Sequence, residues 1–244
     1  MIKKSKNRIS LLGILNILLI IASFAIVANF SFSWAKLKNT FTNPEIILSG
    51  PIVSNQKNYI SHIRKVSGDT ITQLSSRQIL QTLMSHPFVQ ASRVSHMYPK
   101  KLIIEIKERM AFAMINKDPL VVLDKECFVL PIEDNLNEFD IPILSKFNSD
   151  SNLYPIGKKS LSIKVQETIS WLKSLYDQDP NFYSNISEIL LENEDEIVLI
   201  LNEYPTKVLL GRNNTMQKIE ILKKFEETIK ETKKITDYAY LDIR

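Results

Sequence analysis

The 244-residue chain is predicted to be an α+β protein hung from a single N-terminal transmembrane helix. Ile9 to Phe32 forms a mostly apolar run of 24 residues with no charged side chain, interrupted by Gly13 and Asn16. Beyond it the hydrophobic periodicity reads strand, helix, helix, strand, strand, and then a longer series of short strands with two amphipathic helices. The expected architecture is therefore an anchor, a β-α-α-β-β unit, and a mixed β-sheet domain with packed helices.

The run Ile9–Phe32 suffices to cross a hydrocarbon core of roughly 30 Å with some tilt. Trp34 falls where an interfacial aromatic belongs. A cleaved signal peptide is the rival reading, but its apolar stretch is usually about 7–15 residues. The only weak cleavage pattern is Ser31-Phe32-Ser33. The run is read as a retained helix over 9–32, with residues 1–8 as a cytoplasmic tail. Lys3, Lys4, Lys6 and Arg8 precede the run, and only Lys36 and Lys38 closely follow it. That asymmetry predicts a cytoplasmic N-terminus and a far-side location for everything after Trp34.

The formal net charge is +4. Removing the four N-terminal basic residues leaves 27 Lys and Arg against 27 Asp and Glu, so the remainder is neutral overall. No nucleic-acid partner is expected. Cys127 is the only cysteine, which excludes an intrachain disulfide, and a Cys/His metal site is not expected, since it would need Cys127 together with all of His62, His86 and His96.

The first unit is read over 44–110, after a linker at Asn43-Pro44. Glu45 to Gly50 is a short strand ended by glycine. Ser54 is placed as cap of a helix through Lys65, with Ile60 and Ile63 buried. Gly68-Asp69 turns the chain, and Ser75 caps a second helix with Gln78 as capping-box partner and apolar Ile79, Leu80, Leu83 and Met84. Pro87 stops it. Val89 to Met97 reads as a strand, Tyr98-Pro99-Lys100 as a turn, and Leu102, Ile104 and Ile106 as the inward positions of a longer strand. Glu108-Arg109 at its end is expected to be a solvated charge pair, and His86 a helix-end residue near terminal carbonyls.

The second unit is read over 120–244, joined by a hinge near 111–120. Strands are placed at 120–124 and 127–130 around a Lys125-Glu126 turn, then a polar stretch over 133–140 and an Ile141-Pro142-Ile143-Leu144 segment. A helix is placed from Ser160 to about Tyr176, with Leu161, Val165, Ile169 and Leu172 on one face. Strands follow near 187–191, 196–201 and 206–210. A helix over 214–231 carries Met216, Ile219, Leu222, Phe225 and Ile229, and a terminal strand spans Tyr238–Arg244.

These residues resemble a known family. Leu48-Ser49-Gly50, His86-Pro87-Phe88-Val89, Ala91, Val94, Tyr98-Pro99-Lys100-Lys101-Leu102, Ile104-Glu105-Ile106, Glu108-Arg109 and Ala113 resemble the POTRA domain of the FtsQ/DivIB cell-division family. Pro51 stands where Asn is usual, Ala111 where Pro is common, and His96 at a loosely basic position. In the second unit Leu123-Asp124 and Val129-Leu130 match, with Cys127 where glycine is common, as does Ile141-Pro142-Ile143-Leu144. So do Leu210-Gly211-Arg212, Lys218, Leu222 and Tyr240-Leu241-Asp242-Ile243-Arg244. Family members usually continue past the last of these, so the partner edge is expected to be shortened here.

The resemblance implies a non-catalytic scaffold of the divisome in the cytoplasmic (inner) membrane, at the division septum, with its C-terminal domains periplasmic. It would link early cytoplasmic and late periplasmic division proteins in septum assembly. The implied partners are FtsB-like and FtsL-like coiled-coil proteins and the FtsW/FtsI synthase complex, with no cofactor. Partner binding is assigned to Arg212, Tyr238, Tyr240, Asp242 and Arg244, by strand addition at a sheet edge. Two other readings stand beside it. A membrane-tethered periplasmic enzyme is one, although no G-x-S-x-G, H-E-x-x-H, C-x-x-C or P-loop occurs. A POTRA-type chaperone module of outer-membrane assembly is the other, although no barrel strand series follows. The acidic group Glu192, Glu194, Asp195 and Glu196 is read as a solvated hairpin loop.

Overall fold

The computed structural model describes residues 11–37, 45–50, 56–67, 75–97, 101–132, 140–202 and 206–244. The basic tail, the Asn43-Pro44 linker, Pro51, Ser54, the Gly68-Asp69 turn, the Tyr98–Lys100 turn and residues 133–139 lie outside them.

The apolar run forms one helix, α1 (Leu11–Leu37), about 40 Å long at 1.5 Å per residue. Its stretch Gly13–Trp34 is long and apolar enough to cross a membrane, and none of it is buried against protein.

The next elements are β1 (Glu45–Ser49), α2 (Gln56–Ser67), α3 (Ser76–Met84), β2 (Val89–Met97) and β3 (Lys101–Glu108), the expected β-α-α-β-β order. The strands lie in the order β1-β3-β2, with β1 parallel and β2 antiparallel to β3. The Ser75 capping box forms as expected. Leu102, Ile104 and Ile106 of β3 pack with Val89 against Ile79 and Leu83 of α3 and Tyr59 and Ile63 of α2. On α2 the buried pair is Tyr59 and Ile63, one turn apart, and Ile60 is only half-buried. Gly50 adopts φ +117, and a Cβ there would stand 2.2 Å from the Ile106 carbonyl oxygen. Only glycine lets β1 end against β3 at that distance.

Glu108 and Arg109 are not a solvated pair. Glu108 is buried because it is the next inward step of the β3 alternation after Ile106. Its carboxylate accepts a hydrogen bond from Tyr59 Oη.

The remaining strands form one eight-stranded sheet in the order β11-β10-β9-β8-β7-β4-β5-β6. They are β4 (Ala113–Ile115), β5 (Val121–Leu123), β6 (Val129–Leu130), β7 (Ile143–Ser145), β8 (Ile186–Glu192), β9 (Glu196–Leu201), β10 (Lys207–Gly211) and β11 (Tyr240–Asp242). The stretch read as a hinge therefore contains β4, which pairs with β5 and β7. Three residues are too few to show a period in sequence. Helices α4 (Ile163–Gln178), α5 (Pro180–Ser184) and α6 (Thr215–Ile229) supply the core of one sheet face. Val165, Ile169 and Leu172 of α4 and Ile219 and Leu222 of α6 meet Leu144, Ile189, Leu199 and Val208 there. Helix α4 starts later than expected because Ser162, not Ser160, supplies the N-cap oxygen, which leaves Leu161 exposed. Helix α5 was not foreseen; Pro180 occupies its first turn and Asp179 caps it.

Candidate functional site

Strand β11 is one edge of the large sheet and runs parallel to β10. Ala239 accepts from Lys207 N at 3.3 Å, and Ile243 N donates to the Leu209 carbonyl at 3.0 Å. In a parallel ladder, alternate residues turn their peptide groups to alternate sides. The backbone groups of residues 239, 241 and 243 therefore serve β10, and those of Tyr240 and Asp242 face away from the sheet. Side chains alternate as well. Leu241 and Ile243 pack on the helix-side core, whereas Tyr240, on the opposite face, is 64% exposed.

The register extends the Tyr240 position across that opposite face as Lys207, Ile200, Glu188, Ile143 and Met114. Arg244 grips Asp242 through both oxygens, Nε to Oδ1 at 3.0 Å and Nη2 to Oδ2 at 2.8 Å. This bidentate pairing holds the Asp242 carboxyl down at about 2. Arg244 Nη1 also reaches Glu196 on β9 at 3.3 Å.

Two sequence segments far apart in the chain meet here. Gly211 ends β10 at φ +70, and a Cβ on it would lie 3.2 Å from Arg244 Cγ and 3.4 Å from Lys218 Nζ. The bare glycine gives Arg244 room to lie across the strand end. Lys218 donates to the Leu210 carbonyl at 2.6 Å, tying α6 to the same spot. Leu210-Gly211, Lys218, Asp242 and Arg244 thus form one structural cluster.

Of the five residues assigned from sequence, Tyr240, Asp242 and Arg244 share one face of the edge strand. Arg212 is exposed at the β10–α6 junction, at the end of the ladder where Arg244 lies. Tyr238 stands apart: half-buried before β11, its ring is 5.8 Å from that of Phe225 on α6. Lys218 matches the family pattern but was not assigned to the site, and Glu196 was read as part of a solvated loop, since only the fold brings them to Leu210 and Arg244.

A second cluster joins the two sheets. Arg109 Nη1 donates to Asp124 Oδ2 at 2.6 Å and to Glu126 at 3.2 Å, and its guanidinium sits 3.6 Å from the centre of the Phe128 ring. Asp124 Oδ1 accepts from the amides of Glu126 and Phe128, both at 2.8 Å, which fixes the β5–β6 turn. Within that turn Cys127 adopts φ +66, the conformation for which glycine is favoured. Burial, with Asp124 nearby, pushes its thiol up to about 11. In the first unit the ring of His86 lies 4.8 Å from that of Tyr59 and 5.0 Å from that of His62. Among the described residues no three His, Cys, Asp or Glu side chains converge as a metal site.

A family model described as cell division protein FtsQ/DivIB, C-terminal, matches residues 113–244. The cell division protein FtsQ of Syntrophotalea carbinolica is 22% identical over 171 residues, 70% of this chain and 60% of that protein. The cell division protein DivIB of Clostridium tetani is 24% identical over 186 residues, 74% of this chain and 68% of that protein. The FtsQ of Geotalea daltonii is 26% identical over 176 residues, 72% of this chain and 63% of that protein. The matched part thus spans 60% to 68% of the length of these relatives. With more than half of its residues matched by the family model and a single apolar N-terminal helix ahead of them, the chain belongs to the FtsQ/DivIB cell-division family.

Proposed function

We propose that this chain is a non-catalytic, single-pass scaffold of the bacterial division machinery. It bridges cytoplasmic and periplasmic division proteins by offering β11 to a partner strand. The carrying observation is the β11 edge, where the peptide groups of Tyr240 and Asp242 face outward beside an exposed Tyr240 ring. An extended partner segment would add as the next strand, with main-chain hydrogen bonds for affinity and flanking side chains for register. Arg212, exposed at the β10–α6 junction, would pair with a partner carboxylate, in bidentate fashion where geometry allows. The proposed partners are FtsB-like and FtsL-like coiled-coil proteins and, through them, the FtsW/FtsI synthase pair.

The topology belongs to the same proposal: a cytoplasmic N-terminus, α1 across the inner membrane, a POTRA unit over 44–110 and an FtsQ-type domain beyond it, concentrated at the septum. The basic residues before α1 support the orientation.

The test is binding of the full-length chain, in detergent or nanodiscs, to the periplasmic segment of the cognate FtsB-like protein. Arg212→Glu and Tyr240→Ala are each expected to weaken binding without lowering the melting temperature, and removal of Tyr238–Arg244 to abolish it. Unchanged binding by all three folded variants would remove the edge from consideration. A labelled fusion with uniform membrane signal and no midcell enrichment in dividing cells would count against the scaffold itself.

A further inference from the structure

We propose that the outer face of α2 docks on the anionic lipid headgroups of the membrane that α1 crosses. The inference rests on α1 being a membrane span and is independent of what β11 binds.

Tyr59 and Ile63 turn inward, so the opposite face of α2 carries Lys57, Ser61, Arg64 and Lys65, all exposed, at the i, i+4, i+7, i+8 spacing of a single stripe. With His62 and His86 they line an open groove of about 940 Å³ whose walls, among the described residues, hold no carboxylate. A basic stripe on the outward face of a helix suits electrostatic contact with an anionic headgroup layer.

The identity of the occupant follows from charge and from tether length. The neutral balance beyond the N-terminal tail conceals a segregation. Residues 45–110 hold nine Lys and Arg against four Asp and Glu, a net +5. Residues 111–244 hold 16 against 23, a net −7. The positive segment is the one next to the membrane. From Leu37 at the end of α1 to Glu45 at the start of β1 there are only eight peptide steps, a reach of at most about 28 Å. Lipid headgroups are therefore held within reach of the first unit at high effective concentration, whereas a soluble anion or partner has to arrive by diffusion. Juxtamembrane Lys and Arg are drawn to an anionic surface within about one Debye length of it, roughly 8–10 Å. Three such residues on one helical stripe would lay the first unit against the membrane and set the tilt of the chain beyond it.

The experiment uses the full-length chain in nanodiscs of phosphatidylcholine alone or of phosphatidylcholine with phosphatidylglycerol. A donor dye at Gln81→Cys, exposed on α3, reports energy transfer to a headgroup-labelled acceptor lipid. Transfer is expected to rise with phosphatidylglycerol, to return to the neutral-lipid level in the Lys57→Glu/Arg64→Glu/Lys65→Glu variant, and to fall in high salt. The Lys57→Gln/Arg64→Gln/Lys65→Gln variant is expected to lose most of the rise as well, and Lys158→Glu/Lys159→Glu none of it. Equal transfer in the two lipids overturns the proposal, and so does a rise that survives either triple variant while the melting temperature is unchanged. Loss of transfer on adding inorganic phosphate, but not on adding chloride of equal ionic strength, also overturns it, since the groove would then be a small-anion site. Release of the chain from membranes by alkaline carbonate would overturn the membrane span and the docking together, leaving binding at β11 as a separate measurement.

Discussion

The guanidinium of Arg109 stands 2.6 Å from the carboxylate of Asp124, with side chains 10% and 4% exposed, and so joins the end of β3 to the turn after β5. The pair is nearly dry, Arg109 lies over the Phe128 ring, and Asp124 is braced by two backbone amides. Removing one partner of such a pair leaves the other charged and desolvated, at a cost of about 3 kcal/mol. Arg109→Ala is expected to lower the unfolding free energy by that much, read from the shift of the denaturant midpoint at unchanged m. Arg109→Lys is expected to recover little, because an ammonium cannot stack as a plane. Arg93, whose side chain is 78% exposed beside Glu105, is the control, and Arg93→Ala should be nearly silent. Equal losses from Arg109→Ala and Arg93→Ala would mean the junction does not hold.

The β3 alternation predicts a sharp contrast between neighbours. Ile104 is fully buried and Glu105 exposed. Ile104→Asp is expected to destabilise on the order of 4 kcal/mol, and Glu105→Lys by less than about 0.5 kcal/mol. Thermal melts of the two variants decide it, and similar shifts would invalidate the assigned faces.

His86 gives a pH dependence of known sign. Burial lowers its imidazole below the ordinary 6.5, His62 lowers it further, and Glu108 partly opposes both. The unfolded chain then binds the proton more readily than the folded one. Stability is complete above about pH 6.5, declines as the pH falls toward the folded value, and levels off below it. Urea midpoints taken from pH 8 downward should show this decline, and His86→Gln should flatten it. A midpoint that rises on acidification contradicts the assignment.

Gly211→Ala tests the cluster behind β11. The backbone there is at φ +70, and the new methyl would meet Arg244 at 3.2 Å. A loss of about 1–2 kcal/mol is expected from the left-handed conformation. Partner binding should weaken as well, because Arg244 must shift off Asp242. Unaltered binding to the FtsB-like segment would separate Arg244 from the proposed edge.

Much of this fold is legible in sequence because apolar spacing wrote it. The β-α-α-β-β order and the Ser75 capping box follow from local patterns, whereas the edge position of the C-terminal strand was implied by the family resemblance. Glu108 was readable too: the alternation that marks Leu102, Ile104 and Ile106 as inward carries on to it. A charged residue at that step asks for a buried donor, and Tyr59 supplies one. Arg109 was not readable, because Asp124 and Phe128 are local neither to it nor to its strand. Strand β4 was lost for want of length, and α5 because a five-residue helix after Pro180 has no period. At the candidate site Tyr240, Asp242 and Arg244 were visible as a strand, but Glu196 and Lys218 needed the sheet order.

The place of β7 in that order bears on how the molecule folds. Strands β4-β5-β6 and β8-β9-β10 are each antiparallel and consecutive in the chain, so each forms through short loop closures. Among the described residues the two ladders join in the sheet through Ile143–Ser145, which pair in parallel with β4 on one side and β8 on the other. Such pairings close long loops before any contact repays the lost chain entropy, which makes them the slow step. Leu144, fully buried at the centre of β7, should therefore act early on the kinetic path, with Leu144→Ala slowing refolding more than it speeds unfolding. Leu241 on β11 should behave in the opposite sense. The sheet is sewn at its middle and finished at its edge.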